Sequence, residues 1–318
     1  MSDVLFIKTS SLGDVIHHMP ALTEARARRP ADRFAWVVEE AYVPLVRLHP
    51  AVDDVIPIAA RRWRKLSLLL PSTWSEFRAF RRRLGAREYA EVIDTQGLFF
   101  KSAMIARRAR GRSHGYDEQS IKERLAAKVY DVRHHVEKEQ HAIARNRELT
   151  GLALGYAPQG APDYGLDASR IVGAKPAAPY GVLLHSTAEP DKQWPAENWR
   201  SLAAALGADF DLSLPWGTPA EQTRAQRIAS GIARARVPER RPLDEMARLI
   251  AGASFVVGVD TGLMHLAAAL GVPLVAIFAD SEPVLTGPVG RGAIKVLGKK
   301  GEPPGVQEVL GAVRQIVS

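Results

Sequence analysis

Short apolar and β-branched runs alternate with amphipathic stretches along most of the chain. Val4 to Lys8, Phe34 to Val38, Val55 to Ile58 and Glu91 to Asp94 read as buried strands in the first half. Tyr180 to Leu184, Phe210 to Leu214, Phe255 to Val259 and Leu274 to Phe278 read the same way in the second. Helical spacing follows most of them: Val15, Met19, Leu22 and Ala25 share one face, as do Leu263, Leu266, Ala267 and Leu270. Further helices are predicted over Phe77–Leu84, His141–Leu154, Asn198–Leu206, Pro219–Ile232, Leu243–Ala251 and Val306–Val317. Gly115 to about His135 is mixed and predicts no clean element. Repeated β-α units in both halves imply an α/β protein of two doubly wound domains, each with a parallel sheet. Gly155 to Pro179 gathers Pro, Gly and Ala, so domains are expected over 1–165 and 179–305, joined by a linker over 166–178. No repeat of solenoid period is present.

The chain is organised around Phe255 to Pro273, FVVGVDTGLMHLAAALGVP. A strand ends at Asp260 and a helix begins at Thr261, with Gly271 and Pro273 as its stop. Asp260-Thr261-Gly262 is therefore a turn at the carboxyl end of a buried strand, where open α/β sheets bind ligands. Free amides at the helix start, beside a glycine, suit an anion. The plainer explanation, Asp260 as an ordinary N-cap, weighs about equally at this point. His265, one turn in on the side of Thr261, favours a ligand.

Two other strand ends of the second half carry compatible chemistry. His185-Ser186-Thr187-Ala188, with Asp191-Lys192, offers hydroxyls and an ammonium to phosphate oxygens. Glu221, just past the next strand, can accept from both hydroxyls of a ribose, although alone it reads as a first-turn acid. Together with Asp260, Thr261, Gly262 and His265 they describe a nucleotide-diphosphate site. Neither G-x-G-x-x-G nor the P-loop pattern occurs at these turns, which argues against a nicotinamide enzyme or an ATPase. In the first half, Asp14 ends a Ser10-Ser11-Leu12-Gly13 turn at a helix start. Ser11-x-x-Asp14 fits a capping box. A helix N-terminus also favours an ionised carboxylate, which suits a general base.

Composition changes the picture in one respect. The 318 residues carry a net charge of +8 and no cysteine, so disulfides and thiolate metal sites are excluded. Between Arg61 and Arg145 there are 20 Lys/Arg against 10 Asp/Glu, while the remainder has 23 against 25. The whole surplus thus lies in one segment, as expected for an anionic partner such as nucleic acid, lipid or a phosphorylated substrate. Asp3 and Lys8 interrupt the first apolar run, so no signal peptide is expected, and no run reaches the roughly 20 residues of a membrane span. A cytoplasmic protein is the expectation. A nucleic-acid-binding role would account for the basic segment but leaves the second half unexplained.

KTSSLGDVIHHMPAL, WVVEE, RRWRK, DTQGLFFKSA, HSTAEPDKQWP, LPWG and VDTGLMHLAAALGVP resemble, in this order, the lipopolysaccharide heptosyltransferases (glycosyltransferase family 9), most of all the type I group. The resemblance covers nearly the whole chain. It implies a GT-B architecture, two Rossmann-like domains facing across a cleft, with the terminal helix 306–318 returning to the first domain. It implies ADP-L-glycero-β-D-manno-heptose as donor, the Kdo of Kdo2-lipid A as acceptor, and no metal or other cofactor. It implies an inverting transfer at the cytoplasmic face of the inner membrane, with peripheral attachment to that anionic surface and no nucleic acid. By the same resemblance Asp14 is the catalytic base and Lys192 steadies the phosphate leaving group. Glu221 holds the ribose, and Ser186, Thr187, Ala188, Asp260, Thr261, Gly262 and His265 contact the donor. Ser10, Ser11, Gly13, Arg61, Arg62, Arg64, Lys65, Gln96 and Lys101 are then the acceptor side. A type II transfer to a heptosylated core, or a sugar-nucleotide epimerase of the same fold, are the alternatives.

Overall fold

A computed structural model of the chain describes residues 2–63, 71–173 and 178–317. The expected acceptor residues Arg64 and Lys65 lie outside the described residues. The chain forms two compact units, Met1–Gly165 and Leu166–Ser318.

The first unit holds a sheet of β1 (Asp3–Ile7), β2 (Arg33–Glu39), β3 (Asp54–Ile58), β4 (Glu88–Asp94), β5 (Arg110–Tyr116) and β6 (Val132–His134). The second holds β7 (Tyr180–Leu184), β8 (Asp211–Ser213), β9 (Ala235–Arg236), β10 (Phe255–Val259), β11 (Leu274–Ile277) and β12 (Ile294–Leu297). Their orders are β3-β2-β1-β4-β5-β6 and β12-β11-β10-β7-β8-β9, with every pairing parallel. Counted within each unit, both follow the order 3-2-1-4-5-6, so both reverse direction between their first and fourth strands. The central strands carry the core: Val4, Leu5, Phe6 and Ile7 are fully buried, as are Phe255, Val256, Val257 and Val259. The reversal places the loops after β1 and β4 side by side in one unit, and those after β7 and β10 in the other. Those are the loops the sequence singled out.

The strand β5 was not expected, because its sequence RGRSHGY has no apolar run. Two of its buried residues are polar and are satisfied by residues distant in the chain: Ser113 donates to Asp131 at 2.7 Å, and His114 pairs with Glu91 at 2.6 Å. Gly115 is required there, since a Cβ would stand 2.2 Å from the Tyr130 ring.

Two elements near the ends of the second unit pack on its own helices and strands. The Val306–Val317 helix packs on the Ala196–Leu206 helix, β10, β11 and β12, and belongs to the second unit. Its stripe of Val309, Leu310, Ala312 and Val313 is buried in one cluster with Trp194, Trp199 and Phe255. An amphipathic helix joined by a short loop to the edge strand covers the sheet it has just left. The Ala168–Val172 helix, inside the expected linker, is likewise packed on the Leu243–Ala251 helix. Among the described residues no helix is long and apolar enough to cross a membrane.

Candidate active site

In the second unit the loop after β7 leads through His185 to a short helical turn, Pro190–Lys192. Lys192 reaches across to the loop after β10, its ammonium 3.0 Å from Asp260 and 3.1 Å from Glu189. Burial works against that charge, but the two carboxylates outweigh it and raise the lysine above its ordinary value. Asp260 also accepts a 2.8 Å bond from the Ser281 hydroxyl, and His265 stands 3.9 Å from its other oxygen. Thr261, not Asp260, is the N-cap of the Gly262–Ala269 helix, and it makes no side-chain bond to the helix amides. With Asp260 turned toward Lys192, no side chain caps the amides of the first turn.

Glu221 closes a capping box on the Pro219–Ala229 helix, accepting from Gly217 at 2.7 Å and Thr218 at 3.3 Å. Both bonds fall on Oε2; Oε1 has no partner among the described residues. One turn on, Arg224 donates to the His185 carbonyl at 3.3 Å and to the Trp194 carbonyl at 2.5 Å. One guanidinium thus fixes both ends of the loop that bears Ser186, Thr187, Ala188 and Lys192. His185 is buried, shares a 2.7 Å hydrogen bond with the Ser186 hydroxyl, and is pulled down to about 4 by burial first and then by Arg224.

In the first unit, Asp14 sits in the first turn of the Leu12–Arg28 helix and accepts from the Ser11 amide at 2.8 Å and the Ser11 hydroxyl at 2.9 Å. Asp14 is only partly buried. The loop before it is held by Gln96, whose Oε1 accepts from the Thr9 amide and hydroxyl, both at 2.7 Å, while its Nε2 donates to the Ser10 carbonyl at 2.7 Å. Gln96, expected on the acceptor side, thus positions the Ser10–Asp14 turn and keeps one N–H of its amide for a further partner. Gln96 itself is set by buried Asp94, which accepts from the amides of Gln96 and Gly97 and from the Tyr130 hydroxyl. Behind the turn, buried Lys8 donates to the Thr95 carbonyl at 2.9 Å. Burial lowers its ammonium, against the pull of Asp14 and then Asp94.

The RRWRK and WVVEE motifs meet. The Arg61 amide donates to Glu39 at 3.1 Å, and its guanidinium bonds the Tyr42 hydroxyl and lies over that ring. Arg62 is paired with Glu40 at 3.0 Å and Glu76 at 2.6 Å, so it reaches an acceptor only by sharing those partners. Lys101, in the Phe99–Ala103 turn, has no carboxylate partner among the described residues.

One switch point therefore carries the Lys192–Asp260–Ser281 cluster beside an uncapped helix start, and the other a turn-borne carboxylate, Asp14. The model of glycosyltransferase family 9 (heptosyltransferase) matches residues 77–309. The chain belongs to that family. It is a glycosyltransferase of the heptosyltransferase class, and its two units are those of the GT-B architecture. Lipopolysaccharide heptosyltransferase 1 of Salmonella typhimurium is 45% identical over 292 residues, covering 91% of this chain and 92% of that protein. E. coli heptosyltransferase WaaC solved with ADP superposes with a TM-score of 0.92 at 41% identity, covering 98% of this chain and 99% of that one. The same protein solved with ADP-2-deoxy-2-fluoro heptose gives 0.87, covering 99% and 98%.

Ser281, Arg224 and Lys8 were overlooked in the sequence. Ser281 and Lys8 each carried a signal, a polar residue just beyond or at the end of an apolar strand. Arg224 carried only its place one helical turn after Glu221.

Proposed function

We propose that the protein is a type I lipopolysaccharide heptosyltransferase, moving heptose from ADP-L-glycero-β-D-manno-heptose to the Kdo of Kdo2-lipid A. The observation that carries this is the Lys192–Asp260–Ser281 cluster beside the open amides of the Gly262–Ala269 helix, in a chain 45% identical to a type I enzyme. In this reading the diphosphate takes the helix N-terminus and Lys192, and Lys192 exchanges part of its pairing with Asp260 for the phosphate. Asp260, released from the ammonium, and His265 face the donor sugar, while Ser186 and Thr187 reach the phosphate and Ala188 lines the pocket. Glu221 uses its open oxygen on the ribose.

Asp14 takes the proton of the Kdo hydroxyl as that oxygen attacks the anomeric carbon. The bond from that carbon to the diphosphate breaks on the opposite face, and ADP leaves with inversion. Ser11 keeps Asp14 oriented through two bonds, and Ser10, Gly13 and Lys101 flank the acceptor. Arg61, Arg62, Arg64 and Lys65 answer its negative charge. The same surplus of positive charge supports peripheral attachment at an anionic cytoplasmic membrane face. Purified enzyme, ADP-heptose and either a Kdo-terminated or an already heptosylated acceptor test the reading. Transfer to the Kdo-terminated acceptor is expected. Transfer only to the heptosylated one would make this a type II enzyme, and sugar release or epimerisation without an acceptor would overturn the transferase mechanism.

A further inference from the structure

The first unit contains a cavity of about 500 Å³ that shares Lys101 with the proposed acceptor side. That is within the roughly 300–1,000 Å³ of pockets that bury a small ligand. Its walls are Trp63, Phe77, Phe80, Leu84, Met104 and Ile105, drawn from the Ala60–Trp63, Pro71–Leu84 and Met104–Arg108 helices. A smaller cavity of about 170 Å³ shares Trp63 and Phe77 with it. Three cations complete the lining: Arg81, Lys101 and Arg108. None has a carboxylate partner among the described residues; Arg108 bonds only the Met104 carbonyl, and Arg81 lies 6.0 Å over the Phe77 ring. Phe100, also in the lining, is 85% exposed, and Trp74 of the smaller cavity is 53% exposed. Unpaired cations around an apolar cavity, with exposed aromatic rings beside them, complement a molecule having an apolar chain and an anionic head.

We propose that this cavity takes one acyl chain of a phosphorylated lipid, with Arg81, Lys101 and Arg108 meeting the phosphate. The site deepens the acceptor reading above and rests on it only for which lipid is bound. A chain held here anchors the enzyme through a specific pocket, in addition to the diffuse attraction of the basic segment for an anionic surface. Charge alone accounts for the cations but not for apolar walls behind them.

Calorimetry with the full chain and alkyl phosphates of six to twelve carbons, kept below micelle formation, tests this. Affinity should rise about fourfold per methylene until the cavity is filled. An alkyl glucoside of equal length should bind at least tenfold more weakly, and Arg81→Gln with Arg108→Gln should remove most of that difference. Met104→Asp should flatten the chain-length series; should that variant not fold, the wild-type series still decides. Affinity independent of chain length, or equal for phosphate and glucoside, would overturn the proposal. Heptose transfer to a deacylated Kdo acceptor is measured alongside. If that transfer fails while alkyl phosphates bind, the proposed function fails and the cavity assignment stands; the converse result removes the cavity alone.

Discussion

At the strand ends of the second unit the charged side chains already have partners: Lys192 is paired with Asp260 and Glu189, and Glu221 accepts from the amides of its own capping box. At those of the first unit the Asp14 turn is held by neutral groups, Gln96 and Ser11, while the segment from Arg61 to Arg145 carries 20 basic against 10 acidic residues. The same strand order thus supports two electrostatic designs. In the proposed reading a site for one small anion is built from partly buried groups, with the helix N-terminus fixed in place and Lys192 already held beside it. A platform for a large anionic molecule works by surplus, which attracts over a Debye length but is screened by salt.

Replacing one residue in each design gives the largest expected contrast. Asp14→Asn should cut turnover by roughly 10²–10⁴ with ADP affinity nearly unchanged, read by steady-state rates beside calorimetry with ADP. Retained turnover with a lowered melting temperature would make Asp14 a helix cap only. Lys192→Ala should cost roughly 10- to 100-fold in kcat/KM, the range of a lost charged hydrogen bond. ADP affinity should weaken with it; unchanged kinetics at low and saturating donor would remove Lys192 from the site.

Acid should weaken both halves. His49 in the first unit and His185 in the second are each lowered by burial from 6.5 to about 4. The unfolded chain therefore binds more protons between those values. Stability is full above pH 6.5, falls as pH drops toward 4, and loses no more from these groups below that. Each histidine accounts for on the order of 3 kcal/mol. For His185 burial is the larger cause and the nearby Arg224 guanidinium the second. Urea unfolding across this range should show the decline, and His185→Gln should flatten its share; a flat profile for the wild type would contradict the burial argument. The smallest effect is expected for Glu221→Gln, a severalfold rise in donor KM with kcat preserved, because ribose contacts are alike in ground and transition states. A pure kcat defect would give Glu221 a different role.

The alternation of apolar runs and helical spacing made both parallel sheets legible, because strands such as VLFI and FVVGV are buried on both faces. Hidden were elements whose burial is polar or marginal. Ser113 and His114 in β5 are satisfied by residues distant in the chain, and β9 and β12 are short edge strands. The same divide runs through the candidate site. Asp14, Lys192 and Asp260 stand at strand-to-helix turns, where position alone marks them. The roles of Gln96 and Arg224 depend on which loops lie beside them, and that follows from strand order. The terminal helix showed its apolar stripe in the sequence, but not which sheet it covers.

The division of labour is tested most directly with the wild-type enzyme: initial rates over a grid of donor and Kdo-bearing acceptor concentrations, at low and at physiological ionic strength. The acceptor KM should rise severalfold with salt, because its attraction comes from exposed surplus charge. The donor KM should move less than about twofold, since the charges that hold the diphosphate are partly buried and screened less. Equal shifts in both, or a shift confined to the donor, would contradict the assignment of the acceptor to the basic first unit.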